Sequence, residues 1–232
     1  MKKLIYLLII AVACFGCKKK HPEEDEFIGP SGVFTDSRDE HTYKWVRIGN
    51  QIWMAENLAY LPSVNSQYDG STTDPRYYVY DFSGTNIDAA KSHVEFFKYG
   101  VLYNWAAATK SCPKGWHIPT LDEWEQLALT IQKQHTECSK TGDNWKNVGK
   151  YLKTTTGWSV GDGTDEYGFS AIPGGWRNTH YCDFEGNSGY WWSSSQTSDS
   201  RIVNKALSWA GYYLTQDSLT KDFGLGIRCI KN

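Results

Sequence analysis

Eleven tryptophans and fifteen tyrosines constrain this fold more than any other feature of the sequence. Every buried ring needs a large apolar site, and every buried indole N–H or phenol O–H needs a hydrogen-bond partner. A domain of this size seldom requires so many rings for its core alone. Most are expected in a Trp-rich core whose indoles donate to loop carbonyls, and the remainder in an exposed platform for a sugar, a peptide or a protein surface. Adjacent residues of a strand point to opposite faces, so Trp191 and Trp192 cannot both be ordinary core residues unless their sheet is covered on both sides. One of the two is expected as an exposed anchor, and the rings expected to supply the binding face are Tyr77, Tyr78, Tyr190, Trp191, Trp192, Tyr212 and Tyr213.

The chain begins with Lys2 and Lys3, an apolar run from Leu4 to Val12, and the small-residue approach Ala13-Cys14-Phe15-Gly16-Cys17. This reads as a bacterial export signal over residues 1–16, cut for lipid attachment at Cys17, with Cys14 as the alternative acceptor. The run is shorter than the roughly 20 apolar residues a membrane-spanning helix needs. Residues 17–35 are expected to form a flexible tether, because Lys18 to about Pro30 has little to bury and cannot offset its ordering entropy. Its acidic cluster, Glu23 to Glu26, resembles the surface-export signals of Bacteroidetes lipoproteins. The expected location is the outer membrane or cell surface, through the lipid.

About 200 residues then remain, enough for one well-buried core, so residues 36–232 are expected to form one domain. The formal charge is −2 and becomes more negative once Lys2 and Lys3 are removed. No basic stripe recommends nucleic acid as a partner. Beyond the presequence lie Cys112, Cys138, Cys182 and Cys229. In an exported chain they favour two disulfides, for which three connectivities are open. His135 with Cys138 and His180 with Cys182 lack the paired C-x-x-C spacing of a zinc site, and no metal is expected.

Thr42 to Ile48, the turn Gly49-Asn50 and Gln51 to Met54 predict a hairpin. Tyr60 to about Lys98 reads as a long loop region and candidate recognition surface. Thr120-Leu121-Asp122-Glu123 is a capping box, and Trp124, Leu127, Ala128 and Ile131 recur at helical spacing behind it, predicting a helix from Leu121 to about Gln134. A second helix is expected from an Asn144 cap, with Trp145, Val148 and Leu152 inward, ending before Gly157. Gly168 to Ile172, Tyr190 to Ser195, Ala206 to Leu214 and Phe223 to Ile230 read as short strands. Together they predict an α+β fold with a mostly antiparallel sheet, two helices and long loops.

No catalytic constellation emerges. Ser188 lies in Gly186-Asn187-Ser188-Gly189, which misses the nucleophile elbow, and neither a zinc-protease helix nor a phosphate loop is present. Asp162, Thr164, Asp165 and Glu166 do not follow EF-hand spacing and read as a hydrated acidic loop. Glu123 and His117 have structural explanations, as do Arg177, Arg228 and the Gly174-Gly175-Trp176 turn.

The segments YKWVRIGNQIWMAENL (Tyr43 to Leu58), YGVLYNW (Tyr99 to Trp105), CPKGWHIPTLDEWEQL (Cys112 to Leu127), GFSAIPGGWR (Gly168 to Arg177), Tyr190 to Ser194 and GLGIRC (Gly224 to Cys229) occur in order along the chain. Together they resemble the Fibrobacter succinogenes major paralogous domain. More faintly, the helix start and GG-W turn resemble formylglycine-generating enzymes and the C-type-lectin-like fold around them, which implies a compact α+β domain with its terminal strands close together. The resemblance also implies a bridge between Cys112 and Cys229, which leaves Cys138 for Cys182. The enzymes' copper-binding cysteine pair is not matched, since GGWRNTHYC contains Cys182 alone, and the calcium-binding tripeptides of sugar-binding lectins are missing. The expected function is therefore a non-catalytic, cofactor-free, lipid-anchored surface module that binds a glycan or a surface protein. An oxidase or modifying enzyme, and a structural subunit of a surface assembly, are the alternatives.

Overall fold

The computed structural model describes residues 28–178 and 180–232. The export signal, Cys14, Cys17 and the acidic cluster of the tether lie outside the described residues. In chain order the elements are β1 (Ile28–Thr35), β2 (Thr42–Ile48), β3 (Gln51–Met54), β4 (Tyr77–Tyr78), α1 (Ile87–Lys91), α2 (Val94–Tyr99), β5 (Leu102–Tyr103), α3 (Trp105–Ala108) and β6 (Trp116–His117). They continue with α4 (Leu121–Gln134), β7 (Ser139–Thr141), β8 (Asn144–Lys146), α5 (Val148–Leu152), β9 (Gly174–Arg177) and β10 (Cys182–Glu185). The last four strands are β11 (Ser188–Ser198), β12 (Arg201–Ser208), β13 (Leu214–Thr220) and β14 (Ile230–Lys231).

Two sheets carry the fold, one ordered β1-β2-β3-β14-β6 and the other β10-β9-β11-β12-β13-β8-β7, with a β4-β5 ladder beside them. Pairing between these strands is antiparallel except between β9 and β11. The α+β class with mostly antiparallel pairing is as the sequence predicts. The β2–β3 hairpin has the expected bounds, and Gly49 supplies the positive φ of 57° that its turn requires. β14 joins β3 and β6, so the first and last strands belong to one sheet.

The longest helix among the described residues, α4, has its predicted bounds and both hydrogen bonds of the capping box. Its buried face carries Trp124, Leu127, Ala128 and Ile131, with Trp124 packed 4.9 Å from Trp53 between ring centres. The core has two halves. One gathers Tyr43, Met54, Tyr103, Trp192 and Ile227, the other Trp53, Trp124, Trp145, Phe169 and Trp191. Strand β11 runs between them and feeds consecutive rings into opposite halves, which is the alternation that a strand imposes.

Several expectations are corrected. The tether read to residue 35 is too long, because Ile28–Thr35 forms β1 and pairs along β2. Gly29 and Gly32 let that strand lie over the side chains of Arg47 and Trp45, where a Cβ would meet them at 2.5 and 2.8 Å. Asn144 caps no helix: it opens β8, and its side-chain oxygen accepts the Gln216 N–H at 2.9 Å. The helix beyond it, α5, is shorter and starts after Asn147 in the left-handed region. Among the described residues five helices replace the expected two, four of them having four to six residues. Such short turns are held by tertiary packing, so they leave little periodic signal.

The strand read at Gly168 to Ile172 is absent because Gly168 and Ser170 adopt positive φ values of 64° and 52°. The one read at Ala206 to Leu214 straddles the turn between β12 and β13. Most of Phe223 to Ile230 threads between sheets through isolated bridges at Gly224, Leu225 and Gly226. The region read as a long loop contains β4, α1 and α2.

Candidate ligand-binding surface

Most rings nominated from sequence are buried. Trp191 and Trp192 are 1% and 0% exposed. Both sides of the sheet are covered, so the expectation that one of them is an exposed anchor is wrong. Each indole has an internal acceptor: Trp191 Nε1 donates to Asn57 Oδ1 at 2.8 Å and Trp192 Nε1 to the Tyr103 carbonyl at 2.7 Å. Tyr77 and Tyr78 are also buried. Tyr78 donates its hydroxyl to the Asp69 carbonyl at 2.8 Å and lies under the Arg177 guanidinium, while Tyr77 packs edge-on to Tyr103. Tyr190 is half-buried and stacks on Trp176 at 4.6 Å.

Tyr212 and Tyr213 remain accessible, and the structure gives them company that the sequence reading missed. Tyr213 is 43% exposed, Trp209 46% and Val160 58%, with Tyr212 half-buried among them. They sit where the β12–β13 turn meets the loop after α5: the Tyr212 hydroxyl reaches the Asp162 carbonyl at 3.4 Å, and Gly161 abuts the Trp209 carbonyl. The local sequence signal is Trp209 close to Gly211, which breaks the strand expected through both into β12 and β13.

This aromatic rim stands on a buried lysine. Lys153 is fully buried, and its ammonium donates to the carbonyls of Ser208 at 2.7 Å, Gly211 at 2.9 Å and Gly161 at 3.2 Å, tying both loops to one atom. The buried Trp158 ring lies 4.3 Å from that ammonium. Burial pushes the Lys153 pKa down to about 8, the charge of Asp162 opposing the shift. Backbone bonds complete the support: Trp209 N–H to Asn187 O at 2.6 Å, Ser159 N–H to Gly186 O at 2.7 Å and Gly149 N–H to Tyr212 O at 2.9 Å. Gly149 is obligatory there, since a Cβ would stand 2.8 Å from Leu207 Cδ2 and 3.0 Å from the Tyr212 oxygen. The rim thus offers ring faces on a turn fixed from below.

The remaining candidates are structural. Arg177 donates to the carbonyls of Gln67 and Asp222 at 2.8 and 2.7 Å. Arg228 donates to Met54, Phe169 and Ser170 carbonyls and to Asn57 Oδ1. His117 is hydrogen-bonded to Glu123 at 2.8 Å and Asn232 at 2.6 Å but is half-exposed. Ser188 is buried. In the acidic loop, Asp162 accepts the Trp158 N–H, Asp165 accepts the N–H and hydroxyl of Ser170, and Glu166 pairs with His135. Among the described residues no group of three or more His, Cys, Asp or Glu side chains is placed to hold a metal ion.

Cys112 and Cys229 are bridged, with their Cα atoms 6.0 Å apart. The second expected bridge is not formed. Cys138 is buried in the half of the core beneath α4, whereas Cys182 is half-buried at the start of β10, where its N–H donates to Gln67 Oε1. Burial raises both thiol pKa values to about 11.

These features define a disulfide-closed α+β module with a Trp-filled two-sided core and an aromatic rim at one turn. The Fibrobacter succinogenes major domain matches residues 46–231, and the chain belongs to that family. No curated protein and no solved structure matches it.

Proposed function

We infer that this chain is a non-catalytic module, held at the outer membrane or cell surface by lipid on Cys17, that binds a glycan or a protein through the rim of Trp209, Tyr212, Tyr213 and Val160. The observation that carries this reading is the exposure of large rings on a turn whose backbone is pinned by a buried cation. In a chain whose other tryptophans are buried or half-buried, large rings left exposed on a rigid support have the character of recognition anchors. Rigidity matters because a preorganised surface loses less conformational entropy on binding.

A C-type-lectin-like scaffold is consistent with β1 and β14 sharing one sheet, with the irregular loops and with the disulfide closing the C-terminal segment onto the start of the helical region. Oxidase chemistry of the kind performed by formylglycine-generating enzymes is disfavoured, because Cys138 and Cys182 lie in different parts of the fold. Lipid at Cys17 is checked by mass spectrometry of the mature N-terminal peptide, where an unacylated terminus elsewhere excludes it.

The test of the rim is a glycan and surface-protein binding screen, repeated with Trp209→Ala and Tyr213→Ala. Trp209→Ala should weaken binding of any captured ligand by about 2 kcal/mol or more while the domain melts as before. Undiminished binding by both variants rejects this surface.

A further inference from the structure

A second aromatic surface lies in a groove of about 500 Å³ bounded by α3, the segment following it, and β6. Two half-buried tryptophans, Trp105 and Trp116, line it. Trp116 is stacked on Phe34 at 4.6 Å, and Trp105 is set edge-on to the buried Trp192 at 5.7 Å, so both rings are held by packing. Among the described residues neither indole N–H has a protein acceptor. That separates them from Trp191 and Trp192, whose indoles are satisfied internally.

The polar groups on this groove are equally particular. Thr109, Lys110 and Ser194 are exposed along it. His117 contributes its ring, fixed at both nitrogens by Glu123 and Asn232. No carboxylate lines the groove, and among the described residues the Lys110 ammonium has no acidic partner. Cys112 also lines it, so the bridge to Cys229 fixes the groove wall to the C-terminal segment.

We propose that this groove binds an acidic saccharide, its ring resting on Trp105 or Trp116 and its carboxylate directed to Lys110. A pyranose presents one apolar C–H face to an aromatic ring while its hydroxyls radiate outward. Free indole N–H groups, Thr109 and Ser194 are the donors and acceptors such a rim of hydroxyls needs. The Lys110 ammonium selects for negative charge, because it has no acidic partner among the described residues and gains one only on binding, while the nearby Glu123 carboxylate is engaged by His117 behind the lining. The volume falls within the range of small-ligand sites. This inference is independent of the rim around Trp209.

The experiment is a titration of the full mature chain, ¹⁵N-labelled and held in detergent micelles, with disaccharides of galacturonate, glucuronate and mannuronate and with their neutral counterparts. Indole N–H signals are assigned by Trp105→Phe and Trp116→Phe. At least one uronate should move both signals saturably, bind tenfold or more tightly than its neutral counterpart, and lose that preference in Lys110→Ala. Trp209→Ala should leave the titration unchanged, which keeps failure of this site distinct from failure of the rim. Motionless indoles with every uronate overturn the groove as a saccharide site. Equal affinity for charged and neutral sugars, or an unchanged preference in Lys110→Ala, overturns the role given to Lys110.

Discussion

Replacing Lys153 by Met tests the support of the aromatic rim, because it keeps the length of the side chain and removes the ammonium. Three carbonyls, of Gly161, Ser208 and Gly211, lose their donor. The pH dependence then isolates the lysine from other contributions. Burial lowers its folded pKa from 10.5 to about 8, so between those values the unfolded chain binds the proton and the folded chain does not. Stability from this group is therefore complete above about pH 10.5 and is lost as pH falls through 8. Raising the pH from 7 to 9.5 should favour the native protein over Lys153→Met by about 2 kcal/mol, at about 1.4 kcal/mol per unit of pKa difference. Lys205, also lowered to about 8, and the buried tyrosines are common to both proteins and cancel. Urea unfolding of the two proteins at both pH values measures the gap. A gap that stays constant or narrows with rising pH refutes the account of a buried, carbonyl-bound lysine.

Removing the bridge with Cys112→Ala and Cys229→Ala opens a loop spanning 117 residues of sequence separation, and the chain-entropy relation gives a loss of about 5 kcal/mol. Denaturant unfolding of the double variant should show it, and a loss below about 1 kcal/mol would mean the unfolded chain is not appreciably freed. Gly149→Ala forces a Cβ against Leu207 and the Tyr212 carbonyl, an overpacking cost of about 1–3 kcal/mol. Calorimetry with an unchanged melting temperature would show that α5 and the rim turn are not packed as tightly as described.

What could be read from sequence was what depends on neighbours in the chain. The β2–β3 hairpin follows from Gly49-Asn50 between two runs of strand formers, and α4 from a capping box ahead of a regular apolar stripe. Both signals are local and unopposed. The helix expected from Asn144 failed because Trp145, Val148 and Leu152 have helical spacing yet lie in one half of the core from different elements, β8 and α5. A periodic pattern does not distinguish a helix from a strand and a helical turn that bury the same residues.

The binding face was harder for a related reason. Clustering of rings in sequence, as at Trp191-Trp192 and Tyr77-Tyr78, suggests exposure, yet in a sheet covered on both faces it is the arrangement that fills both halves of a core. Whether the second face is covered depends on strands and loops far away in the chain, here Asn57 and Tyr103 receiving the two indoles. Accessible rings instead occur where a ring-bearing turn has no second layer over it, as Trp209 and Tyr213 do. Their support, Lys153, carries no signal of its own among ordinary lysines, since its role arises only when carbonyls from two distant loops converge on one ammonium. Recognition on this scaffold is therefore a property of how loops are fastened as much as of which rings they carry. The Lys153→Met variant, whose rings are all intact, separates those two contributions.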